Sequence, residues 1–181
     1  MILSEFFIDV VFAAIAGLGF SYANNPPKRI LVYCALLGGI GYALRLTLLH
    51  AHLLNYAGAT LIGSLSIGFL AIYFAKKLKT PIEIIAFPSL LPMIPGLQAY
   101  KTILAIFIFM RSKDENEKIH YLLEIFDNAY TTISIVFALA VGISIILLIF
   151  YEQSFTMTRN RNFRKKYKDI LGGQNENTHI L

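Results

Sequence analysis

The stretch "PSLLPMIPGLQAYK", Pro88 to Lys101, decides how this chain is read. It sets Pro88, Pro92, Pro95 and Gly96, followed by Gln98, Tyr100 and Lys101, inside an otherwise apolar run from Ile82 to Met110. Each interior proline costs a helix about 3 kcal/mol. A merely structural helix gains nothing from them, so the interruption points to function. A straight helix over that run would be about 43 Å long at about 1.5 Å per residue, too long for one upright crossing of a ~30 Å hydrocarbon core and too short for two.

Composition sets the surroundings of that odd element. The chain has 181 residues, 56% hydrophobic and 15% charged, which is too apolar for an ordinary soluble domain. Phe7 to Ala23 carries only Asp9, Ile30 to Leu49 only Arg45, and Ala57 to Ala75 and Ala129 to Phe150 carry no charge. Each is long enough to cross a bilayer. A cleaved secretory leader would need a basic start, whereas this N-terminus offers Glu5 and Asp9, so the first segment is read as a retained helix. The lone Cys34 excludes a disulfide framework and a thiolate metal site.

Basic residues fix the orientation, since connections rich in Lys and Arg stay on the cytoplasmic side. If the Ile82–Met110 element crosses once, Lys28, Arg29, Lys76, Lys77 and Lys79 share one side with Arg159, Arg161, Arg164, Lys165, Lys166 and Lys168. The other side keeps Arg111, Lys113 and Lys118 among Asp114, Glu115, Glu117, Glu124 and Asp127. A re-entrant hairpin would split the basic residues far worse. The sequence therefore predicts an all-α polytopic membrane protein with five transmembrane helices, the fourth discontinuous at a Pro-x-x-Pro-Gly break, with the N-terminus outside and the C-terminus cytoplasmic. Residues 1–151 form the five-helix domain and 152–181 a basic, partly disordered cytoplasmic tail. The tail binds anionic lipid rather than nucleic acid on this reading. Ser112 to Asn128 is expected to lie as an amphipathic helix on the outer surface, and Gly38, Gly39, Gly41, Gly58, Gly63, Ser64 and Gly68 as helix-packing faces.

No catalytic constellation is present. His50 and His52 lack a third ligand, "GSLSIG" has the wrong spacing for a nucleophile elbow, and no ATP-binding loop occurs. The chain is read as neither an enzyme nor a cofactor protein. Polar groups within apolar segments carry more information, because they are costly in lipid and usually face protein or a water-filled path. Arg45 either snorkels to the headgroups or faces such a path, and Lys101 has the same two readings. Asn128, Thr131, Thr132 and Ser134 open the last helix, where the hydroxyls either line a path or return bonds to their own helix. At the break, Pro92 and Pro95 remove donors and leave carbonyls near Pro88 and Leu91 without helical partners, while Gly96 permits the turn. The helix restarting near Leu97 would turn free N–H groups and a positive dipole end toward an anion, with Gln98, Tyr100 and Lys101 close by. A packing kink is the alternative.

These residues resemble the threonine/serine exporter family over about residues 8 to 150. The likeness is carried by "FAAIAGLGFSYANNPPKRILVYCALLGGIGYALRLTLL", "PMIPGLQAY" and "DNAYTTISIVFALAVGISI". Its most specific pieces are the Pro-x-x-Pro-Gly-x-x-x-Tyr pattern of Pro92, Pro95, Gly96 and Tyr100, the Gly-x-x-x-Arg ending at Arg45, and the Asn-x-x-Thr of Asn128 and Thr131. The resemblance is nearest to small membrane subunits that export succinate with a larger partner. It implies half of an inverted-repeat transporter, a partner with a soluble domain plus five helices, and a substrate that is a small carboxylate or an amino acid such as threonine or serine. Taken with the polar groups read above, it makes Arg45, Pro92, Pro95, Gly96, Gln98, Tyr100, Lys101, Asn128, Thr131 and Thr132 the expected substrate-binding residues. A homo-oligomer is a further arrangement compatible with the sequence. A membrane scaffold with a basic docking tail is the alternative function.

Overall fold

A computed structural model describes residues 3–150. The expectations placed on the tail, including the basic cluster from Arg159 to Lys168, lie outside the described residues. The described chain is helical throughout: α1 (Leu3–Ala23), α2 (Lys28–His50), α3 (Tyr56–Leu78), α4 (Glu83–Leu90) with a 3₁₀ turn (Leu91–Met93), α5 (Gly96–Arg111) and α6 (Glu115–Ile149). Four helices are long and apolar enough to span a membrane, or five spans arise if Glu83–Met93 and Gly96–Arg111, bent by 51°, count as one.

Local chemistry places the boundaries. Between α1 and α2, Asn24 Nδ2 bonds Phe20 O at 3.0 Å and Asn25 adopts φ 52°, a left-handed conformation that asparagine tolerates. Pro26 and Pro27 then bar continuation of α1. At the head of α6 the Asp114 carboxylate accepts the Asn116 N–H at 3.3 Å, and Glu115 and Glu117 complement the positive end of the helix dipole.

Packing contacts give the direction of each helix. Gly17 of α1 meets Cys34 and Gly38 of α2, while Val10 and Ala14 meet Gly39, so the two run antiparallel. Cys34 of α2 lies against Ile84 and Ile85 of α4, Gly38 against Pro92 and Gly41 against Met93, so these run parallel. Ser64 of α3 touches Ala138 and Gly142 of α6, and Gly68 touches Ile146, making α3 and α6 parallel as well. α4 is packed among α1, α2 and α3, whereas the main packing partner of α5 is α6. The glycine-lined faces serve close approach: a Cβ on Gly142 would collide with Ser64 Oγ, and one on Gly68 would stand 2.8 Å from Ile146 Cγ1.

One expected element differs. Ser112 to Asn128 does not form a separate surface helix, because from Glu115 onward it is the beginning of α6, continuous for 35 residues. No Gly or Pro lies between Ser112 and Asn128 to interrupt the backbone ladder. The charges change the environment a helix prefers without breaking it. At about 1.5 Å per residue α6 is about 52 Å long, well beyond a ~30 Å hydrocarbon core.

Candidate functional site

The break between α4 and α5 is the point where most of the singled-out groups converge. Several of its backbone groups have partners outside the helical ladder. Leu91 O accepts the Ile94 N–H at 3.1 Å, Ile94 O accepts the Gly96 N–H at 2.8 Å, and Pro95 O accepts the Ala99 N–H at 3.1 Å. The Met93 carbonyl points into the bundle, where Arg45 Nη1 donates to it at 2.8 Å. Arg45 is 8% exposed. It is turned inward onto the interruption rather than out to the headgroups, and it satisfies an oxygen that the proline-broken backbone leaves behind.

The Met93 side chain, fully buried, fixes the height of the break. It sits in a recess made by two glycines: a Cβ on Gly41 of α2 would stand 2.7 Å from Met93 Cε and 2.5 Å from Ile67 Cδ1, and one on Gly63 of α3 would stand 3.2 Å from Met93 Cε. One turn beyond Gly41 on the same helix comes Arg45, so a single face of α2 both admits the side chain of Met93 and binds its carbonyl. Below it, Ser89 Oγ lies 2.7 Å from Ile85 O and 3.2 Å from Cys34 O, tying α4 to α2. Cys34, with Sγ at 3.7 Å from Ile85 O, belongs to that packing node. Sequence reasoning missed Met93, Gly63 and Ser89 as parts of the site. The available signal was the framing of Met93 by two prolines.

Gly96 differs from expectation in its reason. Among the described residues no glycine has positive φ, so the turn is made by Ile94 (φ −61°, ψ 132°) and Pro95 (φ −78°, ψ 62°). Gly96 is exposed, and a Cβ there would meet nothing within 4 Å. The space beside Gly96 is therefore open. The first-turn donors Leu97 N–H and Gln98 N–H have no acceptor within their own helix.

The remaining residues spread along α5 and α6. Gln98 is half-buried and its carbonyl accepts from Thr102 Oγ1 at 2.9 Å. Tyr100 is 60% exposed and Lys101 is exposed. On α6, Asn128 Nδ2 donates to Glu124 O at 2.9 Å and Thr132 Oγ1 to Asn128 O at 2.8 Å, both returning bonds to their own helix, and Thr131 is half-buried beside them. The structure thus joins Arg45, Pro92 and Pro95 at the break, keeps Gly96 and Gln98 at its open end, and leaves the others on the α5–α6 pair. His50 Nδ1 bonds Leu46 O at 2.7 Å. Among the described residues no group of three His, Cys, Asp or Glu side chains is placed to hold a metal.

A family model described as "Threonine/Serine exporter, ThrE" matches residues 9–149. The chain is also similar to an "Uncharacterized protein" of Haemophilus influenzae, 30% identical over 145 residues that make up 80% of this chain and 48% of the relative. The chain therefore spans about half the length of the curated relative it matches. No solved structure matches it.

Proposed function

Because the chain belongs to the threonine/serine exporter family, we propose that it is one half of a secondary exporter that moves small carboxylate metabolites, succinate-like dicarboxylates or threonine and serine, out across the bacterial inner membrane. The observation that carries this reading is the break at Met93–Gly96. It is held from inside by Arg45 at 2.8 Å and opens outward onto the N-terminus of a 16-residue helix. Discontinuous helices of this kind place N–H groups and a positive dipole end where a carboxylate binds. Arg45 positions the break, Leu97 and Gln98 N–H groups receive the substrate carboxylate, and Gln98, Tyr100 and Lys101 add donors on the same helix.

The parallel course of α3 and α6 supports one crossing by α4 and α5 together. The chain leaves α3 at one end of the bundle and must begin α6 at the other. That gives five crossings, an odd number that suits one half of an inverted pair. The other half, on this reading, is a subunit with a soluble domain and five helices of its own.

The test is metabolite release from cells expressing this chain, the larger subunit, both or neither. Efflux of succinate, threonine or serine only when both are present supports the reading. Undiminished efflux from the larger subunit alone would overturn the assignment of this chain to the transport path.

A further inference from the structure

α6 has two apolar faces and only one of them is used. The face carrying Ile135, Leu139, Ile143 and Ile146 is buried in the bundle. On another side Ile119, Leu123, Phe126, Tyr130, Ile133 and Phe137 follow one another at alternating steps of four and three residues and are 59–74% exposed. That spacing is a heptad stripe, the pattern by which one helix packs knobs into holes on a second helix.

Its first half lies in a charged stretch. Between Arg111 and Asp127 the chain carries Arg111, Lys113, Asp114, Glu115, Glu117, Lys118, Glu124 and Asp127, a charge density that keeps this stretch out of hydrocarbon. The register agrees. With Ser64 level with Ala138 and Gly142, the start of α3 at Tyr56 stands about level with residue 132, so roughly 25 Å of α6 projects past it at 1.5 Å per residue. Ile119, Leu123 and Phe126 therefore stand past the start of α3, among eight charged residues.

We propose that the occupant is a second copy of this chain, and that two α6 helices form a parallel, in-register coiled coil along this stripe. Two copies inserted the same way present α6 in the same direction, so their stripes meet in parallel. With Ile119, Phe126 and Ile133 at d positions and Leu123, Tyr130 and Phe137 at a, the preceding a position is Asn116, which is exposed. A single polar Asn at an a position sets parallel register in two-stranded coils, because its amide is satisfied only opposite its own copy. The flanks agree: Glu115 falls at g and His120 at e, so the Glu115 carboxylate of each copy faces the His120 ring N–H of the other. The pairing concerns assembly and does not depend on the substrate or on transport.

The experiment uses the full chain in inner-membrane vesicles, with Cys34→Ser removing the buried native thiol. Single cysteines replace Leu123 or Phe126 on the stripe, and Glu117 or Glu124 off it, before mild oxidation. Disulfide-linked dimers at Leu123→Cys and Phe126→Cys, with none at Glu117→Cys and Glu124→Cys, are expected. Equal cross-linking at all four, none at any, or capture of a polypeptide of different mass overturns the proposal. As a second measurement, Leu123→Glu should shift the purified protein from the mass of two chains to one in light scattering while its helical circular dichroism is kept. An unchanged dimer mass would also overturn it.

Discussion

Arg45 shows what a single residue can and cannot disclose. An arginine deep in an apolar segment is legible in sequence as costly and therefore meaningful. Its partner was not legible, because Met93 O lies 48 positions away and comes into reach only when α2 and α4 pack in parallel. Arg45→Met leaves that carbonyl buried without a donor, a loss of about 1–3 kcal/mol, read as a lower thermal midpoint in detergent. Arg45→Gln keeps an amide donor and should recover part of it if reach allows. If Arg45→Met melts like the parent, the 2.8 Å bond holds nothing in place. Gly96 gives the opposite signature. Open space before its Cβ and an ordinary φ mean that Gly96→Leu should melt like the parent, yet its side chain would stand beside the α5 N–H groups proposed to receive a carboxylate. Efflux should be abolished at matched membrane abundance. Parental efflux would reduce the break to a packing kink and remove the substrate site.

At the scale of elements, apolar run length was a sound guide to where helices lie and a poor guide to where the last one begins. The uncharged stretch from Ala129 marks only part of α6, because hydropathy reports the solvent a helix prefers while Gly, Pro and caps report where its backbone stops. The signal that was present, Asp114 followed by Glu115 and Glu117, is a helix start. The small residues were legible as packing faces but not their partners. Ser64 meets Gly142, and its hydroxyl lies 2.9 Å from Leu61 O and 3.4 Å from Ala138 O. Gly142→Ala drives a methyl into Ser64 and should destabilise the α3–α6 contact by about 1–3 kcal/mol, the usual range for overpacking. Ser64→Gly in the same chain makes room and should return most of the loss, a non-additivity expected only of residues in contact. Additive effects in a thermal-melt cycle would mean that α3 and α6 do not meet at this register.

For the whole molecule the decisive question is which end faces the cytoplasm, and sequence and structure bear on it separately. The contacts place the α2–α3 loop and the α5–α6 turn at one end, and the α1–α2 turn and α3–α4 connection at the other, without reference to a membrane. The charges then separate by end. Lys28, Arg29, Lys76, Lys77 and Lys79 fall at the second, and Arg111, Lys113 and Lys118 fall at the first among acidic neighbours. Retention of Lys and Arg on the cytoplasmic side is the ground on which we propose that the α1–α2 end is internal. The bend between α4 and α5 is where this could fail: if the pair turned back within the bilayer, α6 would start at the same end as α4 and run antiparallel to α3. Single cysteines in a Cys34→Ser background distinguish the two arrangements in intact cells treated with an impermeant thiol reagent. Cysteines replacing His52, which is exposed at φ 51° in its loop, and Asn116, exposed at the head of α6, should both be labelled. Lys77→Cys should react only after permeabilisation. Labelling at His52→Cys but not Asn116→Cys would mean that α4 and α5 re-enter rather than cross. Labelling at Lys77→Cys alone would invert the protein, and the site proposed at Gly96 would then open to the opposite compartment.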